Sequence, residues 1–230
     1  MCLKGSFEVL LDRVEALGVF KRNRKPLRVK VLSTLFYYAG LSYRVTAGFM
    51  GFEAEFSYEA VRQWRNRLEE AIPKPQPKYR PVVAVDETKL KRNGEQLYIW
   101  AAIDVEAKEI LAFRASWTRS SLDALLFLQD VLKLCRNKPL ILVDKGPWYP
   151  WALIQLGLPY RHVTFGMRNR IERWFGHLKA RTKRFCNNFP HGSSLESIRV
   201  YLSAHIALYN YLTATTPTKK IESYNMPTFH

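Results

Sequence analysis

Two apolar runs in this chain each stop on an aspartate: Pro81-Val-Val-Ala-Val-Asp86 and Pro139-Leu-Ile-Leu-Val-Asp144. Aliphatic runs of this length, without polar alternation, read as strands buried on both faces, which occur in α/β sheets covered by helices. Ligands on such sheets gather at the carboxyl ends of the strands, where both aspartates are expected. Taken singly, a strand-terminal aspartate is usually a loop anchor or helix cap. The pair gains weight from a third carboxylate, Glu172, in a downstream helical stretch rich in arginine and lysine.

The rest of the chain arranges itself around these runs. Before them, residues 1–72 read as helical, with segments at Phe7–Leu17, Leu27–Tyr38, Ser42–Phe49 and Tyr58–Ala71. Ser57 is placed to cap the last of these, with Glu59 in its first turn. Residues 73–80 contain Pro73, Pro75 and Pro77 and form a stiff, extended linker. Beyond it, Val82–Val85, Gln96–Ile103 and Glu109–Phe113 read as three antiparallel strands. A polar tip at Lys91–Gly94 joins the first two, and a turn at Asp104–Lys108 joins the next. A leucine-rich helix over Ser121–Leu134, the second aspartate strand, and helices near Pro150–Gln155, Arg168–Arg184 and Leu195–Leu212 complete the order. Three strands, a helix, a strand and three helices is the order of the ribonuclease-H-like fold. The expected catalytic core is therefore α/β over residues 81–213, with a mixed five-stranded sheet whose first and fourth strands are neighbours. Residues 214–230 read as a tail.

Charge narrows the class of partner. The formal net charge is +16, which points to a polyanion. There are 15 basic against 8 acidic residues before position 81, 10 against 9 over 81–159, and 11 against 3 beyond. Two basic flanks thus enclose a near-neutral middle, as suits an acidic site that grips nucleic acid. Cys2, Cys135 and Cys186 are scattered singly, so neither a zinc ribbon nor a disulfide framework is expected, and the thiols fit a reducing cytoplasm. The sequence shows no apolar run near the ~18 residues of a membrane span. Cytoplasmic, nucleoid-associated placement follows as the expectation.

Carboxylates on adjacent strand ends can share a divalent cation that prefers oxygen ligands, and two such ions about 3.5–4 Å apart can hold both oxygens of an in-line phosphoryl transfer. At about 100° per residue, Ile171, Trp174, Leu178 and Phe185 form the buried stripe of the third helix. Glu172 points away from it, with Arg168, Lys179 and Lys183 placed to contact phosphate. Glu87 competes with Asp86, but adjacent strand residues face opposite sides, so one of the two is expected to face the metal. Trp148, Trp151 and Trp174 read as packing residues, with stacking on an unpaired base as the sharper alternative for Trp148. Asp104 reads as a structural turn residue.

These residues resemble the DDE transposases of bacterial and archaeal insertion sequences, closest to the insertion-sequence-six type. The resemblance lies in Val85-Asp86-Glu87-Thr88, Tyr98-Ile-Trp-Ala-Ala-Ile-Asp104, Val143-Asp144-Lys145-Gly146-Pro147 and Arg170-Ile-Glu172-Arg-Trp-Phe, with Lys179 seven residues past the glutamate. It implies Asp86, Asp144 and Glu172 as the catalytic, metal-binding triad and two Mg²⁺ (or Mn²⁺) ions as cofactors. The implied reaction is cleavage at the 3′ ends of an element and their joining to target DNA. The implied partners are double-stranded DNA, comprising terminal inverted repeats and target, and further copies of the chain in a homodimer or higher oligomer. The 27 residues between Asp144 and Glu172 are fewer than usual in that family.

The N-terminal segment from Tyr37 to Arg67 has the cadence of a helix-turn-helix, with plain packing helices as the alternative. Its last helix offers Arg62, Gln63, Arg65 and Asn66 to DNA, residue types that read base edges in the major groove. Two rival functions remain open from the sequence: a non-catalytic DNA-binding relic or repressor, and a nuclease or resolvase on the same fold.

Overall fold

The computed structural model describes residues 6–21, 24–163, 169–183, 186–189 and 191–215. Strand β1 (Val82–Arg92) begins in the first aspartate run and continues well past Asp86. It pairs antiparallel with β2 (Glu95–Asp104), and β2 pairs antiparallel with β3 (Ile110–Ser116). The β1–β2 tip turns at Asn93 and Gly94, both at positive φ, where glycine carries no Cβ penalty. The second aspartate run forms β4 (Leu140–Val143), which lies parallel to β1 with Val83 opposite Ile141. β5 (Tyr160–His162) adds in parallel beyond it, giving the order β3-β2-β1-β4-β5. A two-residue β6 (Asn188–Phe189) pairs with the distal end of β1 and adds a sixth strand to the expected five. First and fourth strands side by side, after an antiparallel three-strand meander, is the ribonuclease-H-like arrangement.

The double-faced burial read from the first run holds: Val83, Ala84 and Val85 are all fully buried. Strand alternation splits them between two cores. Val83, Val85 and Trp100 face α5 (Ser121–Leu132) and α6 (Tyr149–Leu156). Ala84, Ile99, Ala101 and Ile103 face α7 (Asn169–Thr182) and α8 (Leu195–Thr215). Helix α5 starts at a reciprocal cap, in which the Asp123 N–H donates to Ser120 Oγ at 3.2 Å and the Ser120 N–H donates to Asp123 Oδ2 at 3.0 Å.

The helices before the sheet are α1 (Ser6–Ala16), α2 (Leu27–Ala39), α3 (Tyr43–Phe49) and α4 (Tyr58–Ala71), with a 3-10 turn at Met50–Phe52. Ser57 caps α4 as expected, accepting from the Ala60 N–H at 3.4 Å. Their core, with Leu10, Val31, Met50 and Leu68, also takes Leu208 and Tyr211 from the end of α8.

The proline-rich connection is pinned rather than loose at its end. Arg80 is fully buried, and its guanidinium donates to Asp104 Oδ2 at 2.6 Å, Glu109 Oε2 at 3.2 Å, Leu134 O at 2.9 Å and Gln76 O at 3.1 Å. Asp104 is the structural turn residue it was read to be, since its Oδ1 accepts from the Glu106 and Ala107 N–H groups at 2.9 and 3.0 Å.

Candidate active site

Asp86 lies midway along β1 and is 7% exposed. By alternation it shares a face with Ala84 and Thr88, the face covered by α7. Asp144 follows β4 directly, so the parallel pairing of β1 and β4 brings the two aspartates together. Asp144 is held at both ends. Its Oδ1 accepts from the Gly146 N–H at 2.8 Å, and its carbonyl oxygen lies 2.8 Å from His162 Nδ1 on β5.

Oxygens of Asp86, Glu87 and Asp144 all lie within 4.8 Å of one another, and among the described residues this is the one group of three or more potential ligands so gathered. Mg²⁺ holds oxygens at about 2.0–2.1 Å, so small side-chain rotations would bring oxygens of Asp86 and Asp144 onto one ion. All-oxygen, carboxylate-rich donors suit Mg²⁺ or Mn²⁺ rather than zinc or copper. The donor set therefore fits the expected metal.

Glu87 enters this group from the other side of the strand. Its side chain is 4% exposed. Its Oε2 accepts from the Tyr149 hydroxyl at 2.6 Å and from Trp148 Nε1–H at 3.3 Å, and its Oε1 accepts from Arg119 at 3.3 Å. Burial pushes its carboxyl above the usual range. The Tyr149 hydrogen bond and Arg119 oppose that push, whereas the charges of Asp86 and Asp144 add to it. The Tyr149 hydroxyl is likewise raised, first by burial and then by Glu87. Sequence alternation separated Glu87 from Asp86. It could not show that both would come within reach of Asp144, because that depends on how the β4–α6 turn folds over the strand.

Glu172 sits in the first turn of α7, exposed, on the helix that covers the Asp86 face. It lies outside the group of three gathered carboxylates. The buried side of α7 is Ile171, Trp174, Phe175 and Leu178, the expected stripe with Phe175 added; Phe185 and Arg168 fall outside the described residues. Lys179 and Lys183 are exposed. Trp151 on α6 is 48% exposed and does not pack as expected, because it falls on the outward side of that helix, whereas Trp174 is fully buried, a packing residue. Trp148 is also committed to packing, with its N–H on Glu87 and the Arg119 guanidinium 3.8 Å from its ring centroid.

The four residues offered to DNA on α4 part company. Arg62 and Gln63 are exposed, and Arg62 pairs with Glu59, which lowers the glutamate carboxyl and raises the guanidinium. Arg65 is not on a free surface: it is 8% exposed, with its guanidinium 5.9 Å from the Tyr37 ring and 5.8 Å from the Tyr201 ring. It also donates to Asn66 Oδ1 at 2.8 Å, which ties up that neighbour's carbonyl. Its position in the buried stripe, rather than beside it, follows from α8 packing across α4, which one helix read alone does not reveal. Arg62, Arg65 and Asn66 line a cleft of about 610 Å³ between α4 and α8.

A family model described as a DDE domain, of the IS240-type transposases, matches residues 81–213. An uncharacterized protein of Methanocaldococcus jannaschii is 43% identical over 211 residues, 92% of this chain and 99% of that protein. An uncharacterized protein of Aquifex aeolicus is 46% identical over 68 residues, 29% of this chain and 56% of that one. Among solved structures, the HTLV-2 integrase catalytic core domain in complex with magnesium matches with a TM-score of 0.41 at 14% identity, over 60% of this chain and 86% of that one. A simian T-cell lymphotropic virus intasome chain matches with a TM-score of 0.44 at 14% identity, over 88% of this chain and 78% of that one.

Proposed function

Since the chain belongs to the IS240-type DDE transposase domain family, we propose that it is an insertion-sequence transposase that cleaves the 3′ ends of its element and joins them to target DNA. A domain of this family acts in transposase-type DNA cleavage and transfer; the ends, the joining step and the assembly are the proposal. The observation that carries it is the meeting of Asp86 and Asp144, 58 positions apart in sequence, where β4 ends beside the middle of β1.

Asp86 and Asp144 are assigned as ligands of Mg²⁺ or Mn²⁺, with Glu172 contributed from α7. When bound, two such ions supply charge neutralisation at the scissile phosphate and a nucleophile at neutral pH. The chain's own residues do the placing. The Gly146 N–H fixes one Asp144 oxygen, and β1–β4 pairing fixes the span between the aspartates. Lys179 and Lys183 on exposed positions take the DNA backbone, and the exposed Arg62, Gln63 and Asn66 of α4 are assigned to base edges. Both chemical steps are in-line displacements at phosphorus, so no covalent link to protein forms. Two ends must be processed together, so a dimer or higher oligomer is assigned. Among the described residues no helix is long and apolar enough to cross a membrane; cytoplasmic action is assigned with the transposase reading.

A strand-transfer assay with Mg²⁺ and an end-containing oligonucleotide tests this. Asp86→Asn, Asp144→Asn and Glu172→Gln should each bind ends and lose cleavage. The loss should be about a hundredfold or more, since metal catalysis supplies several kcal/mol and each 1.36 kcal/mol is a decade in rate. Full cleavage by Glu172→Gln would remove that residue from the site. Cleavage without joining by the parent protein would turn the reading to a nuclease.

A further inference from the structure

We infer that Glu87 is a positioning residue for this site: its carboxylate, buried behind β1, clamps the turn that carries Asp144 and thereby sets the Asp86–Asp144 separation. The inference rests on the metal-ion reading above. It begins with lone pairs. Each carboxylate oxygen accepts about two hydrogen bonds. Glu87 Oε2 already accepts two, from Tyr149 and Trp148, and Oε1 accepts one from Arg119. Three of about four acceptor positions are thus taken and Oε2 is filled, so this carboxylate is turned chiefly toward its donors, as a buttress.

The three donors come from the segments that frame the site. Trp148 and Tyr149 belong to the connection between β4 and α6 and the start of α6. Arg119 belongs to the connection between β3 and α5, and its guanidinium lies 3.8 Å from the Trp148 ring centroid and 5.3 Å from that of Tyr98 on β2. Tyr149 is fully buried, with its ring 5.8 Å from that of Trp100 in an edge arrangement. Glu87 is where these pieces meet.

Gly146 passes the constraint to Asp144. Its N–H donates to Asp144 Oδ1. A Cβ at this position would stand 2.6 Å from Trp148 Cε2 and Cζ2 and 2.9 Å from Asp144 Oδ1. The indole and the Asp144 carboxylate therefore crowd the same, Cβ-free side of one glycine, and a shift of Trp148 away from Glu87 opens room for Asp144 to move. Adjacent carboxylates on β1 thus divide the work: Asp86 faces the metal, and Glu87, on the other face, holds the second ligand in register. Outer-shell partners of this kind commonly govern metal affinity about 10–100-fold.

The decisive variants leave the Glu87 charge in place. Tyr149→Phe and Trp148→Phe each remove one donor, and both keep an aromatic ring. Mn²⁺ binding to the full chain without DNA is measured by titration calorimetry, with thermal unfolding recorded alongside. Each variant should weaken Mn²⁺ binding about tenfold or more at unchanged stoichiometry. Glu87→Ala should weaken it at least as much, and Glu87→Ala with Tyr149→Phe should match Glu87→Ala alone, because both remove the same contact. Mn²⁺ affinity within about twofold of the parent for both aromatic variants, beside a loss in Glu87→Ala, would make Glu87 a direct ligand and overturn the inference. Unchanged affinity in all three overturns it as well. Asp86→Asn separates the underlying reading: if that protein binds Mn²⁺ like the parent, the metal site itself is wrong, whatever Glu87 does.

Discussion

Replacing Arg80 by methionine should cost this protein a large part of its stability. Arg80 is fully buried, and its guanidinium donates to four acceptors, two of them carboxylates. Methionine fills most of the volume and satisfies none of them. Asp104, 3% exposed at its side chain, would keep its two turn hydrogen bonds and lose its counter-charge. Removing one partner of a buried pair costs about 3–5 kcal/mol, because the other charge stays buried. For a chain of this size each kcal/mol moves Tm by about 2–4 °C, so the drop should be about 6–20 °C. Asp104→Asn is the milder half of the test, since asparagine Oδ1 can still accept from Glu106 and Ala107 while Glu109 remains for Arg80. Combining the two should cost less than the sum of the singles, with a coupling of about 0.5–3 kcal/mol. The assay is thermal and urea unfolding of the three variants at one pH. An Arg80→Met protein within about 2 °C of the parent, or strictly additive costs, would refute the reasoning.

Gly146→Ala should retain the fold and lose metal-dependent cleavage, because the new methyl group meets the Trp148 ring and Asp144 Oδ1 inside 3.0 Å. The overpacking should cost about 1–3 kcal/mol in unfolding experiments, and undiminished cleavage would show the close approach to be irrelevant. His177 packs against Tyr38, His205 and Tyr209 at ring separations of 5.3–5.8 Å. Burial, then the Arg181 charge, holds its pKa below 6.5. The unfolded chain then takes up a proton more readily than the folded one, so the stability of the neutral ring is complete above the unfolded pKa and declines as pH falls through and below it. Between about pH 7.5 and about pH 5.5 the parent should lose more Tm than His177→Gln, and parallel pH profiles would exclude that source.

What the sequence made legible was whatever depends on local pattern. The apolar strand starts at Val82 and Leu140, the polar hairpin tip at Asn93–Gly94, the Ser57 cap and the apolar stripe of α7 all follow from periodicity or turn chemistry within a few residues, whereas β1 runs on past Asp86 to Arg92. The site was half legible: Asp86 and Asp144 converge because β4 runs parallel to β1 and ends beside its middle. Arg65 was misplaced because exposure on α4 is decided by α8, more than a hundred residues later. Arg80 escaped notice because an arginine after a proline-rich stretch looks like linker charge until two distant carboxylates close on it. Glu87 was recognised as a competitor, but its three donors come from two separate loops, and no local rule forecasts their meeting. The two shortest strands, β5 and β6, are too brief to carry any periodicity.

Helix α8 has a further consequence. Its first half, through Ile198, Leu202 and Ile206, is built into the sheet, and its last turns, through Leu208 and Tyr211, into the helical bundle; Ser203 reaches Glu69 of α4 in between. On the transposase reading proposed above, one continuous helix therefore sets the span from the assigned α4 surface to the carboxylate site when the chain folds, not when it finds DNA. Such a caliper cannot stretch to follow its substrate. Each inserted base pair advances the target by about 3.4 Å and rotates it by roughly a tenth of a turn, so on that reading the spacing between recognised sequence and cut would be a property the protein dictates to its element.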